Sequence, residues 1–188
     1  MTILPKNIGI LSFLGPFTKN QDIFNNLGVY STLIKTSADL DAVDALVIPG
    51  TEILALKNII HDIIPNILAR IKQDMPIFIT GGASCILSKH EKSLLSFFGM
   101  KMKFDFSSEK KFFKRNIRLN FSDTNTFEAI FLRSPIIIHH PKYFQVVSRS
   151  DLDQETPVCL EYKNILICTF YPEFSNDYRL HEYFLTKI

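Results

Sequence analysis

The middle of the chain holds the stretch that decides its fold, Pro76-Ile77-Phe78-Ile79-Thr80-Gly81-Gly82-Ala83. A short apolar run that ends in paired glycines predicts a buried strand followed by a tight turn. The next segment, Ser84–His90, has a helical pattern. Strands that are apolar throughout are typical of parallel sheets covered by helices on both faces. The stretch therefore predicts an α/β fold.

The same pattern continues towards the N-terminus. Apolar runs predict strands at Ile8–Leu14, Val29–Ile34 and Asp44–Ile48. Thr18–Leu27, closed by Gly28, and Ile53–Lys72 have apolar residues at helical spacing. Pro65 inside the second segment predicts two helices or one kinked helix. Alternating strands and helices at these distances indicate a mostly parallel sheet between helical layers.

The second half of the chain is β-rich. Five further strands are predicted there, and they are Phe112–Phe121, Phe127–Leu132, Tyr143–Ser150, Val158–Tyr162 and Ile165–Phe170. A terminal helix is predicted at Asp177–Lys187. Because no linker separates the halves, the 188 residues are expected to form one domain, 1–188.

Composition excludes several classes of protein. Hydrophobic residues make up 46% and charged residues 21%, which excludes wholesale disorder. A net charge of +2 disfavours a nucleic-acid partner, and no apolar run reaches the ~20 residues of a membrane helix. The three cysteines form neither a disulfide framework nor a zinc pattern, and residues 1–9 lack a signal-peptide layout. We expect a cytoplasmic protein without a bound metal.

A basic and aromatic segment and a pair of histidines are both interpreted as surface features. Lys101–Arg118 mixes basic and aromatic residues, a texture that can mark nucleic-acid binding or a docking surface for a protein. It is more typical of a strand with one solvated face. The pair His139-His140 has no further ligands at metal-binding spacing and is interpreted as a surface pair at a strand end.

Three strand ends carry the functional signal. They are Pro49–Glu52, Ile79–Ala83 and Phe170–Glu173. Ligands of α/β sheets bind at the carboxyl ends of strands. A strand that runs through a sharp turn into a helix has the geometry of a nucleophile elbow, where the helix end favours a thiolate. A His on a neighbouring strand end would take its proton, and a carboxylate two residues on would orient that His.

These motifs resemble the class I (triad) glutamine amidotransferases, and among them the glutaminase subunit of pyridoxal 5′-phosphate synthase. The resemblance runs from Ile8 to Leu185, and its clearest segments are Leu46–Gly50, Phe131–Pro135 and Cys168–Glu173. It implies a three-layer α/β/α, flavodoxin-like fold. It also implies a cytoplasmic protein of vitamin B6 synthesis that hydrolyses glutamine without a cofactor and delivers ammonia to a synthase partner.

The chain departs from this family at the reacting groups. Where the family's elbow carries the nucleophilic Cys, this chain has Gly81, and where the family has its catalytic His, it has Tyr171. Only the third triad position, Glu173, is retained. Glycine cannot form a thioester, and a phenol with a pKa near ~10 is a poor base at neutral pH. Glutaminase activity is therefore expected to be absent.

The remaining pocket residues suggest a ligand. The resemblance implies that Gly50, Thr51, Glu52 and Arg133 surround the glutamine site. A carboxylate suits an α-amino group and a guanidinium can bind a carboxylate with two hydrogen bonds. We expect glutamine or an amino-acid-like ligand. The alternative interpretation is that Arg133 and Glu173 are structural ion-pair residues at the sheet edge.

Gly81 and Tyr171 also carry structural predictions. The elbow position is expected to have positive φ, which glycine adopts without strain. The Tyr171 ring is expected to face Gly81, filling the space between the former catalytic positions, either as an aromatic plug or with its hydroxyl donating to Glu173 or to a ligand.

Three hypotheses follow. The leading one is a catalytically inactive binding or regulatory protein, which acts through an interface to the synthase partner or through a small-molecule pocket. The second is an active amidotransferase or another hydrolase that uses Glu173, Tyr171 and Glu52. The third is an interaction protein with a closed pocket.

Overall fold

The computed structural model describes residues 6–13, 15–50, 63–86, 98–103, 112–123 and 125–188. In chain order the strands are β1 (Asn7–Leu11), β2 (Tyr30–Ile34), β3 (Ala45–Ile48), β4 (Ile77–Ile79), β5 (Lys101–Lys103), β6 (Phe112–Ile117), β7 (Phe127–Leu132), β8 (Ile136–His139), β9 (Gln145–Arg149), β10 (Pro157–Tyr162) and β11 (Ile165–Cys168). The α-helices are α1 (Phe17–Asn26), α2 (Ile64–Lys72), α3 (Ala83–Ile86) and α4 (Arg179–Leu185). Short 3-10 helices span Ala38–Ala42 and Pro172–Phe174.

A seven-stranded sheet in the order β2-β1-β3-β4-β11-β10-β9 forms the centre of the molecule. The first five strands in that order are mutually parallel, and β10 is antiparallel to both of its neighbours. The second half of the chain adds two antiparallel pairs, β5–β8 and β6–β7. The predicted α/β fold with a mostly parallel sheet and a β-rich second half is confirmed.

Apolar layers cover both faces of this sheet. Side chains alternate along each strand, so Val47 and Ile48 of β3 belong to opposite layers. Val47 packs in the layer that contains Phe24 of α1 and Phe184 of α4, whereas Ile48 packs in the layer that contains Ile67 of α2. The chain therefore has the expected three-layer α/β/α arrangement.

Some predicted boundaries were wrong. β6 ends at Ile117 rather than Phe121, because the N–H of Ser122 closes a turn on the Leu119 carbonyl. β5 was not predicted as a strand, whereas β8 is the strand implied by the interpretation of His139-His140 as a pair at a strand end. β5 has only three residues, two of them lysines, so its sequence carries no apolar run to signal it. Among the described residues, no helix has the length and apolar character needed to cross a membrane.

Pro65 lies in the first turn of α2, where its missing N–H leaves no hydrogen bond unmade. The earlier part of the predicted helical segment, together with the end of Ser84–His90 and the predicted strand end at Leu14, lies outside the described residues.

Candidate functional site

The sheet order brings together the three strand ends that the sequence singled out. β3, β4 and β11 are adjacent and parallel, so the loops after them leave the same edge of the sheet. The N–H of Thr80 donates to the Ile48 carbonyl at 3.1 Å, and the N–H of Gly81 donates to the Phe170 carbonyl at 2.9 Å. The Thr80 hydroxyl accepts a hydrogen bond from the N–H of Gly50 at 2.9 Å. These contacts fix the three loops against one another.

Gly81 is the pivot of the strand–turn–helix unit. Its φ is +49°, in the left-handed region that L side chains rarely adopt, as the sequence predicted. The Gly81 carbonyl accepts from the N–H of Ser84 at 3.2 Å and from the Ser84 hydroxyl at 2.7 Å, which closes the turn into α3. The backbone therefore has the shape of an elbow, without a side chain at its tip.

The ring of Tyr171 occupies the space beside that tip. A Cβ built on Gly81 would lie 2.4 Å from Tyr171 Cζ, and one built on Gly50 would lie 2.4 Å from Tyr171 Cε1. Real Cβ atoms do not approach other heavy atoms so closely, so both positions tolerate only glycine while the ring stays in place. Tyr171 is 4% exposed and stacks on Phe174, with ring centroids 5.7 Å apart.

The hydroxyl of Tyr171 is anchored to the elbow backbone, because it accepts a hydrogen bond from the N–H of Gly82 at 3.2 Å. The backbone N–H of Tyr171 donates to the Ile130 carbonyl of β7 at 2.8 Å. Both ends of the residue are thus held. The Tyr171 ring therefore fills the space beside Gly81, as the sequence predicted.

Glu173 is a buried carboxyl group beside the plug. It is 3% exposed, and its Oε1 accepts a hydrogen bond from the Thr80 hydroxyl at 2.9 Å. Burial raises the pKa of Glu173 to about 7, and hydrogen bonding by Thr80 and Asn20 opposes that rise. The carboxyl is therefore divided between its neutral and ionised forms near neutral pH. Sequence reasoning assigned no role to Thr80.

A second buried polar pair was also missed. His181 Nε2 lies 3.1 Å from Asn20 Oδ1, and both residues are fully buried. The imidazole packs edge-on against Phe24 and Phe78, each with a ring centroid 5.5 Å away. Burial lowers the pKa of His181 to about 3, so the ring is neutral at pH 7. One signal was available in the sequence, since Asn20 shares a helix face with Ile23 and Phe24.

The predicted ligand residues are only partly within the described part of the chain. Gly50 contacts Tyr171, as above, whereas Thr51 and Glu52 lie outside the described residues. Arg133 is exposed directly after β7 and has a φ of +43°. The amino-acid site therefore stays a prediction.

Within the described ranges, no group of three or more His, Cys, Asp or Glu side chains is arranged to hold a metal ion. His139 is the exposed last residue of β8 and His140 follows it half-buried, as expected for a surface pair at a strand end.

The fold is that of the glutamine amidotransferases. A solved structure described as a glutamine amidotransferase superposes with a TM-score of 0.85, at 22% identity over 96% of this chain and 97% of that one. A glutamine amidotransferase from Thermotoga maritima superposes with a TM-score of 0.65, at 12% identity over 91% of this chain and 77% of that one. At these identities the comparisons establish the fold alone.

Sequence comparison identifies the family. The model of the SNO glutamine amidotransferase family matches residues 10–188. The pyridoxal 5′-phosphate synthase subunit PdxT of Francisella tularensis subsp. novicida (strain U112) is 32% identical over 189 residues, covering 97% of this chain and 99% of the relative. The chain belongs to the SNO glutamine amidotransferase family, and the predicted resemblance is confirmed.

Proposed function

We propose that this chain is a pseudoenzyme of its family, which docks on the synthase subunit of pyridoxal 5′-phosphate synthase and regulates it without hydrolysing glutamine. One observation carries the proposal: the Tyr171 ring fills the space into which a side chain at position 81 would project, 2.4 Å from the site of its Cβ. Relatives that are 32% identical over nearly the whole chain are named as subunits of that synthase.

The chemistry of the elbow supports the loss of activity. Triad hydrolysis needs a nucleophile, and Gly81 supplies only a hydrogen atom. It also needs a base, and the Tyr171 oxygen accepts a hydrogen bond from Gly82 instead. A phenol is protonated at neutral pH. Because triad members act as a unit, losing the nucleophile alone lowers the rate by about 10⁶-fold in a serine protease.

The first experiment measures ammonia release from glutamine. The chain is assayed by itself and with the synthase subunit from the same source, beside a family member that has the Cys and His of the triad. We expect no release above that of the isolated synthase subunit. Release that depends on this chain would overturn the proposed inactivity. Its loss in Glu173→Gln would then favour the alternative hydrolase, for which the raised pKa of Glu173 is the supporting feature.

The second experiment tests docking. The synthase subunit is sedimented together with this chain, with and without glutamine. A complex supports the regulatory role, and a complex that glutamine strengthens supports an amino-acid site. Arg133→Ala should then remove the effect of glutamine, whereas Arg118→Ala, another exposed arginine, should not. Absence of a complex under both conditions would overturn the docking part of the proposal.

A further inference from the structure

Two cysteines lie side by side on adjacent strands of the central sheet, on the same face. Cys159 of β10 and Cys168 of β11 are register partners on antiparallel strands. Their sulfur atoms are 3.1 Å apart, and both side chains are fully buried free thiols. The sequence showed no disulfide pattern, because only the strand pairing makes these two residues neighbours.

The strand register gives this pair the geometry that a disulfide requires. The N–H of Thr169 donates to the Val158 carbonyl at 2.9 Å, so those two residues form a hydrogen-bonded pair. Antiparallel pairs alternate, and the next pair, Cys159 and Cys168, is therefore non-hydrogen-bonded. Such pairs have Cα atoms about 4.5 Å apart, within the range that a disulfide spans.

We propose that Cys159 and Cys168 are a covalent modification site, which an oxidised low-molecular-weight thiol such as glutathione disulfide converts into a cross-strand disulfide. One cysteine thiolate attacks glutathione disulfide and releases one glutathione thiolate, which leaves a mixed disulfide. The second cysteine thiolate then attacks the protein sulfur of that mixed disulfide and releases the second glutathione. The two protons of the cysteines pass to the two glutathione thiolates, so two protein thiols are oxidised and one glutathione disulfide is reduced.

Burial decides when the bond forms. The thiols are shielded from oxidant in the folded chain, and burial raises the pKa of the Cys168 thiol, which disfavours its reactive form. β10 is only one strand from the sheet edge formed by β9. Oxidation is therefore expected during folding or when this edge opens, and the finished bond would be as protected from reductant as the thiols are from oxidant.

The bond would lie close to the candidate site in the chain. Cys168 ends β11, and Tyr171 follows three residues later. Joining β10 to β11 would restrain the strand from which the plug extends. This inference does not depend on the proposed function, because it rests only on the sheet.

The test refolds the reduced full-length chain in a glutathione redox buffer, blocks remaining thiols by alkylation, and maps peptides by mass spectrometry. A second sample is oxidised without unfolding. We expect peptides of Cys159 and Cys168 to be linked after refolding, with the mass of two hydrogen atoms lost. We also expect a melting temperature roughly 5–10 °C above that of the reduced chain.

Cys159→Ala and Cys168→Ala serve as controls, since neither can form the link. Both should lose the temperature shift, and two variants keep the test usable if one fails to fold. The proposal is overturned if both samples keep Cys159 and Cys168 alkylated, if they carry only mixed disulfides with glutathione, or if Cys85 is the residue that pairs.

Discussion

The candidate site has a packed half and a polar half, which share the loops after β4 and β11 but are held by different forces. In the packed half, the Tyr171 ring sits against Gly50 and Gly81, and shape decides which side chains fit. In the polar half, the Thr80 hydroxyl donates to Glu173 at 2.9 Å. The contribution of Glu173 to the free energy of unfolding depends on whether its carboxyl is protonated. The packed half should respond to side-chain volume and the polar half to pH.

This difference shows that the elbow backbone does not need a reactive side chain. Gly81 keeps the left-handed conformation that the nucleophile position is expected to have, although no nucleophile is present. The N–H of Gly81 donates to the Phe170 carbonyl, and the Gly81 carbonyl accepts from the N–H and the hydroxyl of Ser84. The loop therefore keeps the elbow shape with glycine at its tip and the Tyr171 ring packed beside it.

The largest effect should come from adding one methyl group to the packed half. Gly81→Ala combines a positive φ with a 2.4 Å approach to Tyr171, and we expect it to lower the free energy of unfolding by about 3 kcal/mol or more. Gly28→Ala is the matched control, since Gly28 has a φ of +72° and nothing within 4 Å of an added Cβ. Gly28→Ala should lower the free energy of unfolding by about 1 kcal/mol, measured by urea unfolding.

The same experiment can be sharpened with Tyr171→Ala as the background. Removing the ring should reduce the cost of Gly81→Ala to that of Gly28→Ala, because only the backbone strain is left. An unchanged cost in this background would contradict the assignment of Tyr171 as the obstructing group.

The polar half should show itself in the pH dependence of stability. The pKa of Glu173 is about 7 in the folded chain and 4.5 in its ordinary state. The folded state therefore holds the Glu173 proton more tightly than the unfolded state does. The resulting contribution of Glu173 to the free energy of unfolding is complete below pH 4.5 and is lost as pH rises through 7. As pH rises between these limits, the free energy of unfolding of Glu173→Gln should increase by about 3 kcal/mol relative to that of the unmodified chain.

His181 acts in the opposite direction, because its pKa falls from 6.5 to about 3 on folding and its contribution grows as pH rises to 6.5. The two contributions oppose each other over much of this range, so the informative quantity is the difference between the variant and the unmodified chain. Urea unfolding at several pH values measures it, with Glu182→Gln as an exposed control. A difference that does not change with pH would contradict the raised pKa of Glu173.

A smaller effect is expected from the hydroxyl that links both halves. Thr80→Val keeps the shape but removes the hydroxyl that accepts from the N–H of Gly50 and donates to Glu173, so that Glu173 keeps the hydrogen bond of Asn20 but loses that of Thr80. We expect a loss of about 2 kcal/mol in the free energy of unfolding.

Thr169→Val is the matched control for that variant. Thr169 is equally buried, but its hydroxyl donates only to the Val158 carbonyl, which already accepts the N–H of Thr169. Thr169→Val should lower the free energy of unfolding by less than about 1 kcal/mol. Equal losses in Thr80→Val and Thr169→Val would show that Thr80 has no special role in the site.

The apolar runs of the sequence were sufficient to predict the parallel strands and the meeting of their carboxyl ends. Strands such as β3 and β4 are buried on both faces, and burial leaves a continuous apolar signal. The strand–turn–glycine pattern likewise predicted the positive φ of Gly81. β5 was missed because a short strand with two lysines is defined by its pairing with β8 rather than by its own residues.

The sequence by itself thus determined the fold class, the family and the absence of a side chain at the elbow, because each follows from the order of residues along the chain. Only the tertiary structure decided that the Tyr171 ring closes over Gly50 as well as Gly81, that Thr80 holds Glu173, and that Asn20 meets His181 across 161 residues. The physical reason is that packing distance and burial depend on which elements become neighbours in space. The same reason applies to Cys159 and Cys168, whose sulfur atoms meet because the strand register aligns them.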